Sequence, residues 1–281
     1  MQKVTFINAV GEEIELYRSP FFLAKIEGLG DVEADIQTQK APGQDGSTYL
    51  NTILEERYIP IEVEIIKDFH VNRQTISRVF NPKLGPGTLI YENDKFIRRI
   101  QAVPEHVPKF NDPRPRLTQN VVIDLVCHNP FWLTEEKAEQ MVVWEGGLKF
   151  ALKLPTFFAR QSLNKAKIID NDGDAEAPIR VTFNGPATSP ITIMNKTNGE
   201  FITVKQNLLE GDVLEIDTTF GKKSVVKILA DGTRQNAFHY ITLDSTFLQL
   251  QIGNNLIDYT TGADYERAAV NIKWHNRYIG I

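Results

Sequence analysis

Leu248, Leu250 and Ile252 alternate with Gln249 and Gln251, and Val270, Ile272 and Trp274 alternate with Asn271 and Lys273. A two-residue period belongs to a strand with one face buried and one face wet, not to an amphipathic helix. From about residue 151 onward, strand-like runs recur at 179–183, 191–195, 201–205, 213–217, 224–229, 247–252 and 269–274. Between them lie turn signals such as Asn198-Gly199 and Asp231-Gly232, dipeptides that suit two-residue hairpins. This is the pattern of an antiparallel β-sandwich. No βαβ rhythm occurs, which disfavours a doubly wound nucleotide-binding fold.

The first half is also mainly β. Val4-Thr5-Phe6-Ile7-Asn8, a turn at Val10-Gly11-Glu12 and Ile14-Glu15-Leu16-Tyr17 read as a hairpin, and Ile61, Val63 and Ile65 alternate with Glu62 and Glu64. One helix is expected over 69–80, with Val71, Ile76, Val79 and Phe80 on a single stripe, ended by Asn81-Pro82. A second hairpin follows, pairing 88–91 with 96–101. Two stretches look like arms. Residues 35–49 are polar and turn-rich, too long for a simple hairpin connection in a compact domain. Residues 104–117 carry Pro104, Pro108, Pro113 and Pro115, which exclude a helix and a central strand. A strand over 118–127 closes the domain. Thr134, as N-cap of Glu135-Glu136-Lys137, suggests a short helical linker over 134–141. The expected organisation is residues 1–133, a linker at 134–150, and residues 151–281, the last few of which either finish the second sandwich or return to the first domain.

At 281 residues the chain suffices for two cores. Its 42% hydrophobic and 24% charged residues are those of an ordinary globular protein, and a net charge of −5 argues against a dedicated nucleic-acid binder. No apolar run approaches the roughly 20 residues that span a bilayer, so no membrane insertion is expected. The start lacks a signal-peptide core, pointing to synthesis in the cytoplasm. Cys127, the only cysteine, falls in phase with Val121, Ile123 and Leu125 and reads as a core residue.

Catalytic signatures are missing: no phosphate loop, no G-x-S-x-G elbow and no zinc helix. Gly28-Leu29-Gly30 starts like a dinucleotide fingerprint but lacks its third glycine and reads as a turn. The five histidines show no ligand-like pairing. Asp170-Asn171-Asp172-Gly173-Asp174 resembles a calcium loop, but its glycine comes too early and no closing glutamate follows, so an acidic turn is the better reading. Glu62 and Glu64 read as a solvent face. Trp144, Phe238, Tyr240 and Trp274 can be imagined as a sugar platform, although Trp274 has the phase of a core residue. Asn195-Lys196-Thr197 matches a glycosylation sequon without a secretory signal to give it meaning. No catalytic residue, cofactor or metal is expected.

An ordered set of features resembles the siphovirus tail component, or distal tail protein, family. In the first half these are Val4-Thr5-Phe6-Ile7-Asn8 with Gly11-Glu12, the loop Gly43-Gln44-Asp45-Gly46, the helix ending in Asn81-Pro82, and Leu125-Val126-Cys127-His128-Asn129-Pro130-Phe131-Trp132. The second half resembles that family's galectin-like domain in Asn171-Asp172-Gly173-Asp174, Pro178-Ile179, Gly185-Pro186, Asn198-Gly199-Glu200, Gly211-Asp212, Asp217-Thr218 and Gly253-Asn254-Asn255. No inserted carbohydrate-binding module is evident. The resemblance implies a β-sandwich-like ring-forming domain with one helix, followed by a galectin-like β-sandwich.

It further implies a virion protein of a phage or prophage tail tip. Copies of the chain would form a hexameric ring between tail tube protein and the tail-associated lysin or hub protein. The second domain would be an outward platform for receptor-binding or baseplate proteins, and DNA would pass through the lumen without specific binding. Both arms are expected at subunit or layer contacts, with Lys40, Gln44, Asp45, Lys109, Phe110, Arg114 and Arg116 as candidate interface residues. Two competing classes remain: a carbohydrate-binding or lectin-like adhesion module, and a sandwich-fold glycosidase with opposed acids.

Overall fold

The computed structural model describes residues 2–111, 117–141, 144–146, 159–161, 166–262 and 268–281. The chain divides into two compact units, Met1–Glu135 with Tyr278–Ile281, and Glu136–Arg277. Both are built from strands; a single α-helix, Phe69–Val79, occurs among the described residues.

In the first unit the strands follow the spatial order Glu13–Glu15, Lys3–Ile7, Gly87–Glu92, Ile97–Pro104, Gln119–Cys127, Arg57–Ile65, Phe21–Ile26, Tyr17–Arg18. The two ends of that order are consecutive in sequence. The segment 13–18 pairs first with Lys3–Ile7 and then with Phe21–Ile26, so the sheet rolls into a flattened barrel and its end strands are not left as free edges. Alternation fills the inside: Val4 and Phe6, Ile59, Ile61, Val63 and Ile65, and Val121, Ile123, Leu125 and Cys127 are all buried there. Glu62 and Glu64 face outward, as expected.

The helix buries Asn72, Ile76 and Val79, three residues at helical spacing, while Phe80 just past its end stacks on Phe6 at 4.5 Å between ring centroids. Val71 is 64% exposed, so its place on the expected stripe is corrected. Asn72 takes the inward phase because its amide nitrogen has a partner, donating to the Lys67 carbonyl at 2.6 Å.

The second unit is a sandwich of two antiparallel sheets. One runs Lys137–Gln140, Ala269–Trp274, Ala177–Asn184, Val213–Asp217, Ser224–Ile228, Arg234–Asn236; the other runs Lys167–Asn171, Gly253–Thr260, Ile191–Asn195, Glu200–Val204. Their inner faces share one core, in which Phe183 meets Tyr259 edge-on at 6.1 Å. Trp274 is buried in it and donates its indole N–H to Asn276 at 2.8 Å.

Two expectations fail here. The segment 134–141 is not a helical linker: Lys137–Gln140 is a strand pairing with the last strand of the core, Lys137 opposite Trp274 and Gln140 opposite Asn271. Its helix-forming composition is overridden by an available sheet edge. The run 247–252 is also interrupted, because only Gln249–Leu250 is strand and Ile252 is exposed. Buried Asn255 draws the chain into a turn there, accepting from the Gln251 N–H and donating to the Gln251 and Gly253 carbonyls, each at 2.8 Å. A strand not foreseen, Gly253–Thr260, starts from that turn.

Candidate assembly interface

Residues 34–54 are an antiparallel hairpin, Ala34–Gln39 against Thr48–Leu54, which corrects the irregular arm expected over 35–49. The hairpin prolongs a ribbon already present in the barrel. Phe21–Ile26 and Arg57–Ile65 are sheet neighbours, the Glu27 N–H reaches the Pro60 carbonyl at 3.1 Å, and the Glu55 N–H reaches the Glu33 carbonyl at 2.9 Å. The signal that sequence reading passed over is Thr48-Tyr49-Leu50-Asn51-Thr52-Ile53-Leu54, rich in β-branched and aromatic residues directly after the Gly43 and Gly46 turn.

Residues opposite one another in a hairpin share a face. Ile36 lies opposite Thr52, Thr38 opposite Tyr49 and Ala34 opposite Leu54, so Ile36, Tyr49 and Leu54 form an apolar row. Asp35, Gln37, Gln39, Thr48 and Asn51 make the other face polar, interrupted by Ile53. A bulge at Leu50 adds twist between them. Ile36 and Tyr49 are each 61% exposed, and Leu50 and Ile53 are exposed as well. A lone two-stranded hairpin is marginal in water, and one with apolar residues and two open edges is built for pairing with another chain.

The tip gathers three candidates. Gln44 folds the turn, its side chain donating to the Thr48 hydroxyl and accepting from the Ala41 N–H, both at 3.1 Å. Lys40 and Asp45 stand exposed beside it. At the base lies a residue that sequence reading missed. Arg57 is completely buried and donates to the carbonyls of Pro130 at 2.8 Å, Gly28 at 2.7 Å and Ile279. Burial pushes its pKa below the ordinary arginine range, with the Asp31 charge working the other way; the groups its guanidinium hydrogen-bonds directly are carbonyls. The clue was its phase, since Arg57, Ile59 and Ile61 alternate inward together. Gly28 is required at its turn: φ is +75°, and a Cβ would stand 1.9 Å from the Tyr58 carbonyl oxygen.

The second arm is partly folded back. Pro104 lies opposite Leu125, and Lys109 and Phe110 pair with Val122 and Val121. Lys109 reaches Asp124 at 3.6 Å, His106 reaches the same carboxylate at 3.0 Å, and the Arg73 guanidinium lies 4.6 Å from the Phe110 ring centroid. Pro104 ends the strand Ile97–Pro104, and it and Pro108 are both buried, so the chain follows the sheet instead of breaking away from it. Arg114 and Arg116 lie outside the described residues.

Among the described residues no group of three His, Cys, Asp or Glu side chains can hold a metal. Cys127 is buried and its thiol is pushed up to about 12 by desolvation, which leaves it a poor nucleophile. Asn171, in the acidic turn, is buried and donates to the Ala175 and Leu250 carbonyls at 3.0 and 3.2 Å, so its work is structural. Asn195 of the sequon is buried against Asn255 at 2.9 Å. Burial of Trp274 removes it from any sugar platform, and the side chain of Trp144 lies outside the described residues. No helix among the described residues is long and apolar enough to cross a membrane.

Comparison with known proteins adds two kinds of likeness. Residues 10–127 match the family model described as a phage tail protein RIFT-related domain, and residues 172–278 match the siphovirus-type tail component, C-terminal domain. The whole fold is similar to the crystal structure of the Dit protein of phage SPP1, described as a paradigm of the hub adsorption apparatus in phages that infect Gram-positive bacteria. The TM-score is 0.69 at 11% identity over 98% of each chain. It is also similar to a chain in the phage P2 baseplate in its activated conformation with calcium, with a TM-score of 0.56 at 11% identity, over 97% of this chain and 98% of that one. At such identity these structures show a shared fold. No curated protein matches the sequence.

Proposed function

Because this chain belongs to the siphovirus tail component family of distal tail proteins, a structural part of the phage tail tip, we propose that its copies close into a hexameric ring between the tail tube and the tail-associated hub protein. The second unit then serves as the platform for receptor-binding or baseplate proteins. The observation that carries this reading is the hairpin 34–54, exposed on both faces and open along both edges.

The physics is that of a heterologous contact. When one edge of the arm, Ala34–Gln39, meets the other edge, Thr48–Leu54, of the next copy, every copy both gives and receives a strand. A rotation that returns to its start makes a ring. The apolar row of Ile36, Tyr49 and Leu54 packs toward protein, and the face of Asp35, Gln37, Gln39, Thr48 and Asn51 turns toward the lumen. That face carries one acid and no base, so it offers phosphate no cation to pair with, and DNA is not held there by charge. Arg57 anchors the base of the arm, so that pull on the arm is borne by the barrel.

Replacing residues 34–54 with a short glycine-serine turn is the test. The shortened chain should stay folded and sediment as a monomer; rings formed by it would remove the arm from the account.

A further inference from the structure

The last strand of the larger sheet in the second unit, Arg234–Asn236, is exposed along its whole length and pairs on one side only, with Ser224–Ile228. Its register fixes which backbone groups are spent. The Ala237 N–H bonds the Val225 carbonyl and the Leu229 N–H bonds the Thr233 carbonyl, both at 2.9 Å, so the hydrogen-bonded pairs are 225 with 237, 227 with 235 and 229 with 233. The N–H and C=O of Arg234 and Asn236 therefore point away from the sheet, toward the place of a next strand.

Two further observations lie at this edge. A groove of about 350 Å³ is lined by Val225, Val226, Gln235, Asn236, Phe238 and Lys223. Around it, Phe220 is 81% exposed, Phe238 stacks on Phe247 at 5.7 Å, and the Lys223 ammonium lies 4.9 Å from the Phe220 ring and 5.3 Å from the Phe247 ring. Aromatic side chains are enriched where proteins meet, and Phe220 and Phe238 are exposed here with the Lys223 charge beside them. Lys223 lines the groove and Lys222 beside it in sequence is exposed too, so the two offer cations to an acidic partner.

We propose that this edge receives an extended segment of another tail protein, alternating aliphatic and acidic residues, which adds as a strand beside Arg234–Asn236. Its backbone takes the outward amides and carbonyls, its aliphatic side chains enter the groove, and its carboxylates meet Lys222 and Lys223. The inference rests on the reading of the second unit as a platform. One such site is short and weak, but a ring repeats it and gains avidity.

The probe is a short fluorescein-labelled peptide alternating valine and glutamate, titrated into the full-length protein and followed by anisotropy, with a valine-lysine peptide as control. The acidic peptide should bind at least about ten-fold more tightly than the basic one. The double variant K222E/K223E, whose side chains are exposed and whose fold should be intact by circular dichroism, should abolish that preference. N236P removes an outward N–H without touching a ladder bond and should weaken binding by about ten-fold or more relative to N236A, which equally loses the side-chain acceptor of the Phe238 N–H but keeps the backbone donor. Equal binding of both peptides, no binding, or unchanged affinity in both variants would overturn the proposal. Failure of the ring reading would show separately, in the molar mass of the unmodified protein without peptide.

Discussion

Replacing Ile36 and Tyr49 together with serine removes two of the three apolar side chains of the row and leaves both barrel and sandwich cores untouched. Full burial of such a side chain is worth about 1.5–3 kcal/mol. Each of the two is 61% exposed in the single chain, so covering what remains open is worth about 1–2 kcal/mol apiece, or about 2–4 kcal/mol per subunit contact. At about 1.4 kcal/mol per ten-fold, that weakens each contact by roughly 30- to 700-fold. A closed ring compounds the loss around its circumference. Light scattering across a dilution series should therefore find the variant as monomer at concentrations where the unmodified protein is assembled. Its thermal midpoint, measured below the assembly concentration, should match that of the unmodified monomer, because neither residue contributes to a core. Assembly equal to that of the unmodified protein would refute the reasoning, as would a large drop in monomer stability, which would make the row part of the fold.

Two other outcomes are expected. R57A leaves the Pro130, Gly28 and Ile279 carbonyls without their donor and opens a cavity, and urea denaturation should show a loss of about 3–5 kcal/mol in the first unit. In the second unit Lys227 and Asp212 form a buried pair at 2.8 Å. Burial pushes the Asp212 carboxyl up, but the Lys227 ammonium and the Leu209 N–H outweigh it and hold the group below the ordinary carboxylate value. A depressed folded-state pKa contributes stability that is present above the unfolded value of about 4 and is lost as pH falls through the folded value. Stability of the second unit should decline across that acid range, and D212N should flatten the decline while lowering stability at neutral pH, where it leaves Lys227 buried without its counter-charge.

How much of this was legible in the sequence depended on whether a residue's neighbours in space were also its neighbours in phase. The strands Arg57–Ile65 and Gln119–Cys127 were readable over 58–65 and 119–125, where buried and open positions follow the period of two. The arm was read as irregular because its strands are polar on one face and exposed on the other, so no core imposed alternation on them. Helix-forming residues at 137–140 misled because the sheet edge they complete lies more than a hundred residues away in sequence, at Ala269–Trp274. Val71 and Asn72 exchanged places for a related reason: hydropathy favours the valine, but a carbonyl at Lys67 satisfied the asparagine. Of the candidate interface residues, Gln44 was identifiable from its turn, whereas Ile36 and Tyr49 were hidden until the register put them side by side.

A chain that works by tiling with itself around a passage must show that passage. Negative-stain electron microscopy of the purified protein, alone and mixed with its tail tube protein, tests it most directly. Rings with a central hole, alone or capping the tube, are expected; dispersed single chains in both preparations would contradict tiling.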